Sequence, residues 1–288
     1  MSDAFTPNLK TTTDHDKNNE DFSSMTYRIT ENKPVVNAIK IKFMTRDAVR
    51  LIDPDKITYG KKTTFLPALK WFDSRIKMIL DAARGDDPFA DQTLLDLERA
   101  GARFDEQIEE QSEGIRVQIR ELFELNEAQL KLNNESHSYV VELVIKNPLS
   151  VKFLWSLKRF DNLLYLIYQA EKHCVISPKV ARSYRNSAKR DYRALLSIAA
   201  RWSHTSISRE DIAKTTARTA NAFEKNKQVT LSLEVLLMEL RAECSPKISG
   251  RNNNQLPDDL KERILNLFNK SNASDDENNS QKQEQRAG

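Results

Sequence analysis

Val35-Val36-Asn37-Ala38-Ile39-Lys40-Ile41-Lys42-Phe43-Met44-Thr45-Arg46-Asp47-Ala48-Val49-Arg50-Leu51-Ile52 changes its hydrophobic period part-way along. Ile39, Ile41 and Phe43 alternate with Lys40 and Lys42, which predicts a short strand with one apolar and one cationic face. Thr45 then stands where a helix N-cap belongs, and Ala48, Val49, Leu51 and Ile52 follow as an apolar stripe. A strand with a basic face that leads straight into a helix is how a ribbon-helix-helix unit opens. In that geometry two chains pair their strands antiparallel, and the polar face of the ribbon enters the DNA major groove. The same local pattern also suits an edge strand whose lysines discourage aggregation.

Charge around this stretch is segregated. Residues 33–84 hold 12 Lys and Arg against 5 Asp and Glu, residues 86–127 hold 4 against 13, and residues 128–203 return to 13 against 5. The net charge of +3 hides this. Separate basic and acidic blocks suit a protein that offers a cationic surface to a polyanion, and also a helical protein with exposed acidic helices. With 288 residues, only 6 Gly and 9 Pro, and long stretches at helical period, the chain predicts a mainly helical fold. The expected class is mainly α with a short N-terminal β-ribbon: a ribbon-helix-helix unit embedded in a larger helical domain, with a small β-hairpin.

Residues 1–26 and 271–288 are polar and poor in apolar anchors, and are expected to be disordered tails. Residues 27–84 form the ribbon-helix-helix-like region and residues 85–244 a helical body continuous with it. Residues 245–255 read as a linker, and 256–270 as a final helix with Leu260, Ile264, Leu267 and Phe268 on one face. Between the tails, Thr63 or Thr64 should cap a helix to about Arg84, and Pro88 should open an acidic helix to about Gln111. Strands are expected near Ala128–Leu132 and Tyr139–Ile145. Helices should follow over Pro148–His173, Pro178–Trp202, Ser208–Lys225 and Leu231–Cys244.

Several classes lose ground by absence. Met1–Asn19 does not read as a secretion signal, and Lys158, Arg159 and Asp161 interrupt the longest apolar run. Cys174 and Cys244 stand alone, so neither a disulfide framework nor a zinc site is expected, and the cytoplasm is the expected location. His15, His137, His173 and His204 are scattered, and no glycine-rich phosphate loop or nucleophile elbow appears. The expectation is a non-enzyme with no catalytic residues, cofactor or metal.

Two clusters need weighing. In Asp86-Asp87-Pro88-Phe89-Ala90-Asp91, the carboxylates have the density to hold magnesium against a diphosphate. The same residues suit a helix start, with Asp87 or Asp86 as cap, Pro88 at the first helical position and Asp91 near the positive end of the dipole. The second reading is preferred. Arg182, Arg185, Lys189 and Arg193 fall at helical spacing and form a secondary basic stripe, with Tyr184 and Tyr192 interleaved. It reads as a phosphate-contacting helix, or as a solvated face paired with the acidic 86–127 block. Ile207–Lys225 is a poor helix-turn-helix because it lacks a turn glycine.

Thr45-Arg46-Asp47-Ala48-Val49-Arg50-Leu51, the Asp86–Asp91 string, the Asn147-Pro148 entry to a helix containing Phe160-Asp161, and Ile207-Ser208-Arg209-Glu210-Asp211 together resemble the AcaB-like transcriptional regulators of conjugative plasmids and integrative conjugative elements. The likeness covers roughly residues 36–225, and the Asp-Asp-Pro-Phe-Ala-Asp string is its most distinctive marker. It implies a dimeric ribbon-helix-helix activator of conjugative transfer genes. This chain departs from a minimal unit by inserting Asp53–Lys62 between the first two helices.

Joined to the residue pattern, the resemblance implies that two subunits pair Asn37–Phe43 across a two-fold axis. Ala38, Lys40 and Lys42 would then face the bases of double-stranded DNA, while Arg46, Arg50, Lys61, Lys62, Thr63 and Thr64 contact phosphates. The pair Thr63-Thr64 would do so at a helix N-terminus. The helical remainder would stabilise the homodimer and contact RNA polymerase or another regulator, with no membrane involved. Two rivals stand beside this: a helical adaptor of a conjugation system without specific DNA readout, and a metal-dependent enzyme centred on Asp86, Asp87 and Asp91.

Overall fold

Alternation and capping take the expected form at the N-terminal end of the described chain. The computed structural model describes residues 38–59, 62–127, 138–250 and 255–268. Both expected tails, the expected strand at 128–132, and Lys61 lie outside them. Strand β1 (Ile39–Phe43) runs into helix α1 (Arg46–Val49), a single turn capped by Thr45. The Asp53–Lys62 insertion contributes to a hairpin of β2 (Asp55–Tyr59) and β3 (Lys62–Leu66), with Thr58 opposite Thr63. Thr63 and Thr64 therefore do not cap a helix. The adjacent β-branched pairs Ile57-Thr58 and Thr63-Thr64 favour strands, and helix α2 (Leu69–Arg84) starts only after Pro67-Ala68.

Four long helices build the body: α2, α3 (Pro88–Leu125), α4 (Pro148–Lys172) and α5 (Pro178–Arg201). Three of them begin with proline at the first position after Asp87, Asn147 and Ser177, where the missing N–H has no intrahelical partner to lose. Helix α3 continues past the expected stop at Gln111. Its buried stripe of Phe104, Ile108, Ser112, Ile115 and Ile119 carries on, while Gly114 sits on the open side. Helix α4 is the hub of the core, with Phe153, Leu157, Phe160, Leu164 and Ile167 fully enclosed. Phe153 stacks on Phe72 at 5.0 Å and meets Gly101 of α3, where an added Cβ would lie 2.8 Å from the ring. Arg75 of α2 closes the end of α5: it donates to the carbonyls of Ala199 and Trp202 and lies over the Trp202 ring.

Downstream of α5 the expected helices are broken. Ser208 does cap a helix, with a reciprocal capping box to Asp211, but α6 (Arg209–Ala213) stops at Thr215 (φ 50°) before α7 (Ala217–Lys225) begins. The expected Leu231–Cys244 helix is reduced to α8 (Leu233–Leu236). There the chain turns through Met238 at φ 61°, and the Glu239 N–H donates back to the Glu234 carbonyl at 2.8 Å. Residues 245–250 are packed rather than linker-like. Ile248 is buried, and the Ser249 N–H donates to the Arg84 carbonyl at 2.8 Å. Residues 258–268 are helical, with Leu260 and Ile264 buried as that face requires. The apolar core runs unbroken from Ile41 to Ile264.

Candidate nucleic-acid interface

The β1–α1 corner is held by one buried carboxylate. Asp161, in the middle of α4, accepts from the Met44 N–H, the Thr45 N–H and the Thr45 hydroxyl, each at 2.8 Å, and pairs with Lys158 at 2.7 Å. It has no solvent exposure. Thr45 Oγ1 in turn accepts from the Ala48 N–H at 3.3 Å, so the N-cap of α1 is oriented from the core. From α1, Asp47 accepts from Lys189 of α5 and from the Tyr168 hydroxyl, both at 3.2 Å.

On this frame the β1 alternation is realised. Ile41 and Phe43 are buried and Ile39 half-buried, while Ala38, Lys40 and Lys42 face solvent. β1, expected to pair with its copy in a second chain, is hydrogen-bonded along one edge to β4 (Tyr139–Leu143) of its own chain. Lys40 stands opposite Glu142, and Lys42 opposite the exposed Val140. The β1–β4 sheet has two strands among the described residues, so no described strand pairs with the other edge of β1.

The remaining expected contacts are distributed differently. Arg46 and Arg50 are exposed. Thr63 and Thr64 are exposed on β3, and no helix N-terminus lies there: the first N–H groups of α2, at Leu69 and Lys70, donate to the carbonyls of Leu51 and Ile52 at 3.0 Å. A phosphate held by free helix N–H groups is thus not available at this place. Lys62 heads the same strand. In the basic stripe, Arg182 is exposed, but Arg185 pairs with Glu171 and lies over the Tyr168 ring, and Lys189 pairs with Asp47. The acidic partners are thus on α4 and α1 rather than on α3. Tyr192 is core, its hydroxyl donating to the Phe153 carbonyl and its ionisation pushed up by burial. Sequence reading missed Asp161 and Asp47 as positioning groups, because nothing in the residues beside a carboxylate marks what it will meet.

The Asp86–Asp91 string is a structural hub. Asp87 caps α3, accepting from the Phe89 and Ala90 N–H groups at 2.9 and 3.2 Å and from the Trp202 indole at 3.3 Å. Arg209, with no exposure at all, donates to Asp86 Oδ1 at 2.6 Å and Asp91 Oδ2 at 2.8 Å. Arg241 grips Asp91 with both prongs, at 3.0 and 2.8 Å, and Ser245 adds a hydroxyl. Guanidinium groups thus fill the positions a cation would take. The Ile207–Asp211 segment, at the start of the Ile207–Lys225 stretch read as a poor helix-turn-helix, serves to bury Arg209.

Burial pushes the Asp87 carboxyl up to about 6, against the opposing pull of its hydrogen bonds from Ala90, Trp202 and Phe89. The folded state then binds a proton more readily than the unfolded chain between its ordinary value near 3.8 and about 6. Stability therefore falls as pH rises through that window, by on the order of 3 kcal/mol in all. Asp87→Asn keeps the cap and removes the titration. The variant should gain on the parent by up to about 3 kcal/mol between about pH 4 and 7, read from urea midpoints at the two ends.

The sequence profile of one family, transcriptional regulator AcaB, matches residues 33–249. The chain belongs to the AcaB family of transcriptional regulators. Among solved structures it is similar to AcaB from uropathogenic E. coli, crystallised with selenomethionine, at 14% identity over 79% of this chain and 96% of that one, with a TM-score of 0.35. No curated protein matches. The family match takes in both the β1–α1 corner and the Asp86–Arg209 hub, so AcaB-family identity spans the body as well as the strand. No helix among the described residues is long and apolar enough to cross a membrane.

Proposed function

We propose that this AcaB-family protein is a sequence-specific, dimeric DNA-binding activator of conjugative transfer genes that reads the major groove with the β1 face. The observation that carries the reading is β1 itself. Ala38, Lys40 and Lys42 face solvent, the opposite face is sealed into the core, and one edge pairs with no described strand. Pairing two β1 edges across a two-fold axis extends the sheet to four strands, β4–β1–β1–β4. The reading face then adds Glu142 and Val140 to the two lysines. Lysine donates to guanine O6 and N7, glutamate accepts from cytosine N4, and valine packs on a thymine methyl group. Arg46, Arg50, Lys61, Lys62, Thr63 and Thr64 supply phosphate contacts. The helical body provides the surface toward RNA polymerase or another regulator.

The test is binding to DNA upstream of candidate transfer genes and to scrambled DNA, between about 50 and 200 mM salt. Selective binding should survive the higher salt. Lys40→Ala/Lys42→Ala should lose about 1–3 kcal/mol of discrimination per contact removed. Equal, salt-sensitive binding to both DNAs, unchanged in the double variant, would overturn the reading and leave a protein-binding adaptor. Sedimentation as a monomer when bound to DNA would overturn the paired ribbon.

A further inference from the structure

Helix α5 and the segment running from α1 into the hairpin leave a cleft of about 1150 Å³ between them. Its cationic walls are Arg50 on one side and Lys189, Arg190 and Arg193 on the other; its acids are Asp47, Asp53 and Asp55. Two of the acids are engaged, Asp47 by Lys189 at 3.2 Å and Asp53 by Lys70 at 2.8 Å. Arg190 lies 3.7 Å from Asp191 and donates to Ser187. Arg50 and Arg193 are in none of these pairs, and the third acid, Asp55, acts on Arg193 through its charge. Arg50 is exposed and makes no ion pair among the described residues. Arg193 has its Nε buried with no hydrogen-bond acceptor. A buried donor without an acceptor costs its full desolvation penalty, and native structures almost always satisfy it. Burial holds the Arg193 guanidinium below its usual range, an effect that the charge of Asp55 works against.

We infer that this cleft is an anion site in which Arg50 and Arg193 take phosphate oxygens. The planar fork of arginine matches phosphate in two parallel hydrogen bonds, and a partly desolvated guanidinium gains more from an anion than one in bulk water. Arg50 closes the one-turn helix that leads from β1, so one wall of the cleft follows the proposed reading strand along the chain. One source of the phosphate is the backbone of a duplex lying on β1, and in that form the inference rests on the DNA-binding reading. The other is a free oligophosphate, which does not depend on it.

The experiment uses the full chain, Arg50→Gln and Arg193→Gln, with Arg193→Lys as a variant that keeps the charge and loses the fork. Two quantities are read: the slope of log K against log salt for a short random-sequence duplex, and the melting temperature with sodium pyrophosphate at constant ionic strength. A slope about one unit shallower in each glutamine variant, with no pyrophosphate effect, places a DNA phosphate in the cleft. Pyrophosphate that raises the melting temperature of the parent but not of the glutamine variants, with the slope unchanged, makes the ligand a free oligophosphate. If neither quantity moves, including in the fold-neutral Arg50→Gln, the cleft is not an anion site. A parent protein that binds no duplex overturns the function proposed above, while the pyrophosphate measurement still decides the cleft.

Discussion

Arg209→Met should destabilise the fold by about 3–5 kcal/mol, the range seen when one member of a buried charge pair is removed. The side chain is fully enclosed and serves two sets of groups at once. It pairs with Asp86 and Asp91, and it donates to the Val235 and Leu236 carbonyls that end α8. Without it, Asp86 and Asp91 lose the Arg209 charge, and the Val235 and Leu236 carbonyls lose its donors. Arg241 and Ser245 still hold Asp91, while the 2.6 Å pair with Asp86 and the donation to the α8 carbonyls are lost outright. Adding Asp86→Asn to Arg209→Met should therefore recover part of the loss, a non-additivity that a double-mutant cycle in urea measures directly. A cost below about 1 kcal/mol for the single variant would show that the hub does not hold α6 and α8 to α3.

Asp161→Ala should have the second largest effect, and it should reach function as well as stability. Three donors at 2.8 Å and the Lys158 ammonium converge on this one carboxylate, and all three belong to the turn that joins β1 to α1. Each buried donor left unsatisfied costs about 1–3 kcal/mol, so a loss of several kcal/mol is expected. Asp161→Asn should be milder, since its carbonyl oxygen still accepts from part of the set. The strand would lose its fixed angle to the body, so if β1 reads DNA as proposed, affinity should drop further in Asp161→Asn than in a comparably destabilised core variant such as Ile198→Val. Hydrogen exchange at Met44 and Thr45 gives the direct readout. Unchanged protection there would show that the corner is held by its apolar contacts alone.

Much of the fold is legible in short runs of residues. The alternation at Ile39–Phe43, the Thr45 cap and the proline-led starts of α3, α4 and α5 are signals a few residues wide, and the elements they announce are present. The hairpin at Asp55–Leu66 is not legible in this way, because Thr63 and Thr64 serve as well in a strand as in a cap. Only the pairing with Asp55–Tyr59 decides between them. The stretch at Leu231–Cys244 has helical periodicity, yet Arg209 draws the α8 carbonyls into its own hydrogen bonds and the chain turns at Met238. The basic stripe of α5 is visible as a stripe. That Glu171 and Asp47 pair Arg185 and Lys189, while Arg193 keeps an unmatched Nε, is not.

Local chemistry therefore settles which faces are apolar, where the main helices start and that β1 carries lysines outward, because period and capping act over one or two turns of chain. Tertiary structure alone decides who meets whom. It brings Asp161 to a turn 116 residues away, Arg209 to carboxylates 118 and 123 residues away, and β4 to one edge of β1. A buried charge must find its partner wherever the fold brings one, and nothing in the residues beside it says where that will be.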